Sequence, residues 1–376
     1  MPLPPHPISL KEHFSVIIDP RVDRTKAHLL EDILLIALLA MLCGAEGFVD
    51  FADFGRAKEA WLRTFLRLPN GIPSHDTFGR VFAALDPRQF AECFRNWTES
   101  IRRHISGEIV AFDGKTLRRS HDRRRGKSAI HLVSAWARDN GLVLGQLKVA
   151  DKSNEITAIP ELLRSLELAG CIVTIDAMGA QKQIAREIIE ADADYVLALK
   201  GNHERLHEEV ASFLIDARQR GFKKVPHSFT ESIDKEHGRI ETRRYWITEE
   251  IGWLEDRALW EGLRSVGMVE SIREVDGQTS AETRFFLCSL RADAGKFARA
   301  ARGHWAIENQ LHWSLDVAFA EDQCRVRAGH AAENLALLRH LTLNTLKRDT
   351  TRKRGLKGKQ KNAAWDHSYL LSLLAI

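Results

Sequence analysis

The chain has 376 residues, more than one ordinary domain holds, so two or three structural units are expected. Apolar residues make up 44% and charged residues 28%, a balance that excludes a disordered chain. The net charge is only +4, from 55 Lys and Arg against 51 Asp and Glu, so overall charge does not identify a nucleic-acid binder.

The opening MPLPPHPISL lacks a basic region followed by an apolar stretch, so no secretory signal is read there. HLLEDILLIALLAMLCGAEG places acids near its start and Gly44 near its end, as a buried helix does. Its apolar run, Ile33 to Cys43, is too short to cross a bilayer. FVDFADFGRAKEAWLRTFL repeats aromatic residues at helical spacing. Ser74 is a candidate N-cap for the next helix, Asp86-Pro87 ends it, and RQFAECFRNWTESIRRHI supplies another.

The period then changes. EIVAFDGKTLR, IHLVSAWA and GLVLGQLKVA read as three neighbouring antiparallel strands, with a turn at Asp139-Asn140-Gly141. NEITAIPELLRSLEL and QKQIAREIIEA are helical and alternate with the apolar strands CIVTIDA and YVLALKG, which predicts a mixed α/β sheet. After the helix HERLHEEVASFLIDARQRG, four strand-like segments form a β-rich insertion at about 223–290. Helix resumes near Ala294 and again in HAAENLALLRHLTLNTLK. These readings divide the chain into a helical part, 1–105, an α/β part with its insertion, 106–346, and a basic tail without hydrophobic periodicity, 347–376.

Five scattered cysteines form no C-x-x-C pair, so reduced thiols in the cytoplasm are expected. Neither G-x-G-x-x-G after a strand nor G-x-x-x-x-G-K-[ST] occurs, so no nucleotide cofactor is expected. Basic residues cluster at Arg118, Arg119, Arg123, Arg124, Arg125 and Lys127, and again from Lys347. Such clusters suit phosphate backbones, and solvated loops carry them too.

Two acids end apolar strands. Asp113 precedes Gly114, and Asp176 precedes the turn Ala177-Met178-Gly179. Asp-Gly is also a common turn pair, but two carboxylates on one sheet edge are the usual hard ligands of Mg²⁺ or Mn²⁺. In RGHWAIENQLHWSLDVAFAEDQCRVR, His304, Glu308 and His312 recur at i, i+4 and i+8 on a helical face. Two histidines and a glutamate could instead hold a transition metal. Asp316, Glu321 and Asp322 compete as the third acid, and Asp322 could pair with Arg325.

The segments GIPSHDTFGRVF, VAFDGKTLRRS, VTIDAMGAQ, ALKGNH, HGRIETRRYW and HWAIENQLHWSLDVAFAED resemble the H-repeat-associated, ISAs-type transposases of bacterial insertion sequences. The resemblance runs from about residue 10 to residue 345. It implies the DDE superfamily, a ribonuclease-H-like catalytic fold, and three acids that match Asp113, Asp176 and Glu308. It further implies two Mg²⁺ or Mn²⁺ ions, cleavage and strand transfer at transposon terminal repeats, target DNA as partner, and a homodimer on DNA. Related enzymes often carry a Tyr-Arg-Glu-Lys pattern around the glutamate; here Ala301, His304 and Leu315 take the places of its Tyr, Arg and Lys. Candidate DNA contacts are therefore Lys115, Arg118, Arg119, Lys200, Arg302 and His304. Rival readings are a metal-dependent nuclease that never joins DNA, and an inactive DNA-binding relic.

Overall fold

The structure, a computed structural model, describes residues 10–121, 128–150, 153–236 and 238–374. Before Ile109 its elements are helices: α1 (Leu10–Ser15), α2 (Leu30–Leu42), α3 (Phe48–Ala57), α4 (Glu59–Leu62), α5 (His75–Ala84) and α6 (Pro87–Ile101). The near-continuous apolar run of α2 is buried on every side, and its one buried acid, Asp32, accepts a hydrogen bond from the Leu68 N–H at 2.9 Å. Ser74 caps α5 through the Thr77 N–H. Asp86 accepts from the Arg88 N–H and starts α6, with Pro87 in its first turn, where a missing N–H costs nothing.

Nine strands build one mixed sheet in the order β3-β2-β1-β4-β5-β9-β8-β7-β6. The first five are β1 (Ile109–Thr116), β2 (His131–Ala137), β3 (Leu142–Lys148), β4 (Ile172–Ile175) and β5 (Asp194–Leu199). Helices α7 (Glu155–Arg164) and α8 (Lys182–Glu190) precede β4 and β5, and β1, β4 and β5 run parallel. Then come α9 (Glu204–Gln219) and the insertion strands β6 (Ser228–Glu236), β7 (Arg239–Thr248), β8 (Ser265–Val275) and β9 (Gln278–Cys288). The insertion strands extend the same sheet, because β9 pairs antiparallel with β5 from Val196↔Cys288 to Leu199↔Phe285.

Helix α10 (Ala294–Ala306) follows, capped by Asp293, and crosses β1 and β4. A single π-helical turn, Ile307–His312, joins it to α11 (Trp313–Phe319). Ala320, in the left-handed region with φ 48°, ends that helix. The buried helix α12 (Ala331–Arg348) ties the halves together. Asn344 both donates to and accepts from the Val143 backbone on edge strand β3, and Asn334 donates to the carbonyls of Phe82 and Leu85 at the end of α5.

The stretch 347–376 departs from the expected tail. It folds as α13 (Leu356–Trp365) and α14 (His367–Leu374), which pack on α2 and α12. In α13 the apolar signal is sparse because polar groups do part of the burying. The Lys359 ammonium is buried, donating to the Leu346 carbonyl at 2.7 Å and lying 3.6 Å from the Asp349 carboxylate. Among the described residues, no helix is long and apolar enough to cross a membrane.

Gly303 sets the approach of α10 to β1. A Cβ there would lie 2.9 Å from the Ile109 Cγ2 and 3.2 Å from the Arg138 side chain. Gly303→Val is therefore expected to cost roughly 1–3 kcal/mol by overpacking. Urea unfolding measures it; an unchanged midpoint would show that the helix has room to spare.

Candidate functional site

The pairing of β1 with β4 determines the site. Parallel partners run from Ile109↔Ile172 to Phe112↔Ile175, so the residues that follow, Asp113 and Asp176, stand side by side, with the strands roughly 4.8 Å apart. Asp176 comes just after β4, whereas Asp113 lies inside β1 and not at its end as expected, because β1 stays paired with β2 as far as Thr116. Ile109 and Ile172 share a cluster with Phe297 and Ala300 of α10. By the two-residue period of a strand, Asp113 and Asp176 therefore face the same helix. The Gly179 N–H donates to the Asp176 Oδ1 at 3.2 Å, using the small-residue turn seen in the sequence.

Glu308 lies in the π turn, a local widening of the helix that is frequent at functional sites. The turn replaces the regular α spacing assumed for His304, Glu308 and His312, and the two histidines have separate partners. His304 Nδ1 lies 3.3 Å from the Thr174 hydroxyl, and His312 Nδ1 lies 3.5 Å from the Asp113 Oδ2.

A cavity of about 420 Å³ is lined by all three acids, together with Lys200, Arg302 and Trp305. Its other walls include Arg243, Tyr245 and Arg284 from the insertion strands. The Arg284 guanidinium sits 4.6 Å from the centre of the Trp305 ring and the Arg243 guanidinium 5.8 Å.

Burial is the main reason the Asp113 carboxyl is pushed up to about 7; the Gly114 N–H pulls it down, while the charges of Asp176, Glu155 and Glu308 push it up. Burial, reinforced by the Lys115 ammonium, lowers His312 to about 4, and burial lowers His304 as well. Asp113 and Asp176 are half-buried and Glu308 is exposed, and like charges gathered at one cavity are what a hard divalent cation would relieve; the oxygen donors suit Mg²⁺ or Mn²⁺. Among the described residues, however, no three His, Cys, Asp or Glu side chains already converge on one metal position. The donor chemistry fits a divalent ion, and closing the shell requires side-chain movement.

Sequence reasoning missed Glu155 and His131, which bond at 2.6 Å directly against Gly114. A Cβ on Gly114 would lie 2.1 Å from the Glu155 Oε1, so the small residue beside Asp113 is needed to admit this pair. Nothing in the sequence flagged Glu155, because only the packing of α7 against β2 brings it here.

The candidate DNA contacts separate. Lys200 follows the end of β5 and is exposed at the cavity wall; Arg302 also lines the cavity and pairs with Asp234 at 2.6 Å. Arg118 and Arg119 are exposed, Arg118 reaching Asp322 at 3.2 Å. Arg123, Arg124, Arg125 and Lys127 lie outside the described residues. Lys115 and His304 are held inside, Lys115 by Asp316 and Glu321 at 2.6 and 3.0 Å. The acids that rivalled Glu308 are thus already paired with cations, and Asp322 meets Arg118.

Comparison with known proteins adds a family. The model of the Transposase DDE domain matches residues 105–345, and a DDE_Tnp_1-associated model matches residues 11–98. The H repeat-associated protein YhhI of Escherichia coli K12 is 40% identical over 371 residues, 97% of each chain. A protein of the dhlA 3′ region of Xanthobacter autotrophicus is 49% identical over 287 residues, 75% of this chain and 95% of that one. A short relative, inactive transposase YbfQ of E. coli K12, is 43% identical over 72 residues, 19% of this chain and 86% of that one.

The perturbed groups give a signed pH prediction. With its carboxyl raised from 3.8 to about 7, Asp113 binds more proton in the folded than in the unfolded chain, so its contribution to stability falls as pH rises between those values. His312, lowered from 6.5 to about 4, acts in the opposite direction over its own window and partly masks the effect. Without divalent ions, Asp113→Asn should be more stable than wild type at pH 8, by at most about 4 kcal/mol, and the advantage should vanish near pH 4. Urea unfolding at both pH values checks this, and parallel profiles for the two proteins would contradict it.

Proposed function

The chain belongs to the transposase DDE-domain family, and on that premise we propose that it cleaves DNA at insertion-sequence ends and joins those ends to target DNA, with Asp113, Asp176 and Glu308 holding divalent metal. The observation that carries this reading is the pair of aspartates at one level of two neighbouring parallel strands, Asp113 within β1 and Asp176 just past the end of β4, in one cavity with Glu308. The strand order β3-β2-β1-β4-β5, with three antiparallel strands followed by helical crossovers, supports a ribonuclease-H-like core.

Two Mg²⁺ or Mn²⁺ ions bound by the three acids would activate a water or a DNA 3′-hydroxyl and neutralise the charge that develops on the phosphate. The protein's own part is positioning. The Gly179 N–H orients the Asp176 carboxylate, and His312 lies against Asp113. Lys200 and Arg302 stand where phosphates would pass, and Trp305, backed by two guanidinium groups, offers a ring on which a base can stack. The exposed Arg118 and Arg119, and the exposed basic residues Arg352, Lys353, Lys357 and Lys361 near and on α13, supply sequence-independent backbone contacts. A homodimer would let both ends be cut together, and DNA as substrate together with free cysteines fits the cytoplasm.

The test uses labelled DNA carrying the flanking element's ends, with Mg²⁺ or EDTA. Wild type is expected to cut and join only with metal. Asp176→Asn and Glu308→Gln should lose roughly 10²–10³-fold or more in rate while binding DNA about as tightly. Cleavage without joining would replace transposase by nuclease, and full activity in either variant would remove that residue from the site.

A further inference from the structure

Three acids after Glu308 remain without a role in the proposed chemistry: Asp316 on α11, and Glu321 and Asp322 just beyond it. They converge on one cation from the strand of Asp113. Lys115, two residues further along β1 and on the same face as Asp113, donates to Asp316 at 2.6 Å and to Glu321 at 3.0 Å, and lies 4.0 Å from Asp322. Its side chain is 13% exposed, and that of Glu321 2%. The other face of the cluster is closed by Arg339 of α12, 3.6 Å from Glu321 and itself 1% exposed, while the exposed Arg118 meets Asp322 at its solvent edge, at 3.2 Å. Three cations thus meet three carboxylates, a balance in which removing one member strands a buried charge.

We infer that Lys115 is a positioning residue that clamps the helix carrying Glu308 to the strand carrying Asp113, and that it makes no contact with DNA. Two observations lead there. The ammonium's donors are directed to carboxylates inside the fold rather than to solvent. The helix it holds also departs from α geometry at the π turn, immediately before α11, so the placement of Glu308 over β1 depends on how the chain is anchored on the far side of that turn. Lys115 supplies it from the one strand whose position relative to Asp113 is fixed by the backbone. The inference rests on reading Asp113 and Glu308 as parts of one site.

The experiment compares wild type, Lys115→Met and the double variant Lys115→Met/Asp316→Asn in the full chain. Asp316→Asn restores charge balance, leaving Glu321 with Arg339 and Asp322 with Arg118. A purely structural role predicts that the double variant recovers both its melting temperature and its site. The clamp predicts recovery of melting temperature alone. Amide exchange over residues 307–313 should stay about tenfold faster than in wild type, and Mn²⁺ affinity, read by titration without DNA, should stay about tenfold weaker. The dependence of DNA affinity on salt should not change. If instead exchange and Mn²⁺ affinity match wild type while the salt slope falls by about one, Lys115 is a phosphate contact and the clamp is wrong. If Lys115→Met does not fold, Lys115→Gln with Asp316→Asn gives the same reading, since it removes the charge while keeping a polar donor beside Glu321. Absence of metal-dependent cleavage by wild type would defeat the transposase reading, while the exchange measurement would still decide the clamp.

Discussion

The structure turns on two like charges placed side by side. Parallel pairing of β1 with β4 brings Asp113 and Asp176 to the same level of the sheet, on the same face, beneath one helix. Half-burying neighbouring carboxylates opposes folding, and the raised Asp113 carboxyl is the sign of that opposition. A fold that served stability alone would place apolar or paired residues there. The surrounding architecture accepts the cost: Gly114 admits the Glu155–His131 pair, Gly303 lets α10 approach, and the π turn brings a third acid to the same cavity.

Much of this was legible in the chain. The strand segments around Asp113 and Asp176, the helices that alternate with them and the four strands of the insertion follow from local periodicity, which backbone pairing preserves. So do the caps at Ser74 and Asp86, because capping chemistry is local. What could not be read depends on distant partners. That β9 would pair with β5 and prolong a single sheet is a matter of long-range register. Helix α13 escaped notice because Lys359 and Gln360 are buried there in place of apolar residues, and a buried lysine satisfied by carbonyls looks like a solvated one in the sequence; α14 buries Tyr369, Leu370 and Leu373, an apolar spacing that the basic stretch before it obscured.

Within the site, the acids were the readable part and the cations were not. A carboxylate at a strand end is marked by the apolar run before it. A lysine carries no mark that tells a phosphate contact from an internal ion pair; Lys115 is found paired with Asp316 and Glu321. The same pairing engages Asp316, Glu321 and Asp322 with cations, which is why Glu308 is the acid proposed for the site. The insertion strands also acquire a meaning beyond spacing, since Arg243 and Arg284 bring charge and ring-stacking partners to the wall facing the acids.

The measurement that tests the central claim most directly is anomalous diffraction at the manganese edge from crystals of the full chain soaked in Mn²⁺. The account predicts density between Asp113, Asp176 and Glu308, with the three carboxylates drawn inward, and its loss in Asp176→Asn crystals. Manganese bound at Asp316 and Glu321 instead, or no site among the three acids at saturating Mn²⁺, would contradict it.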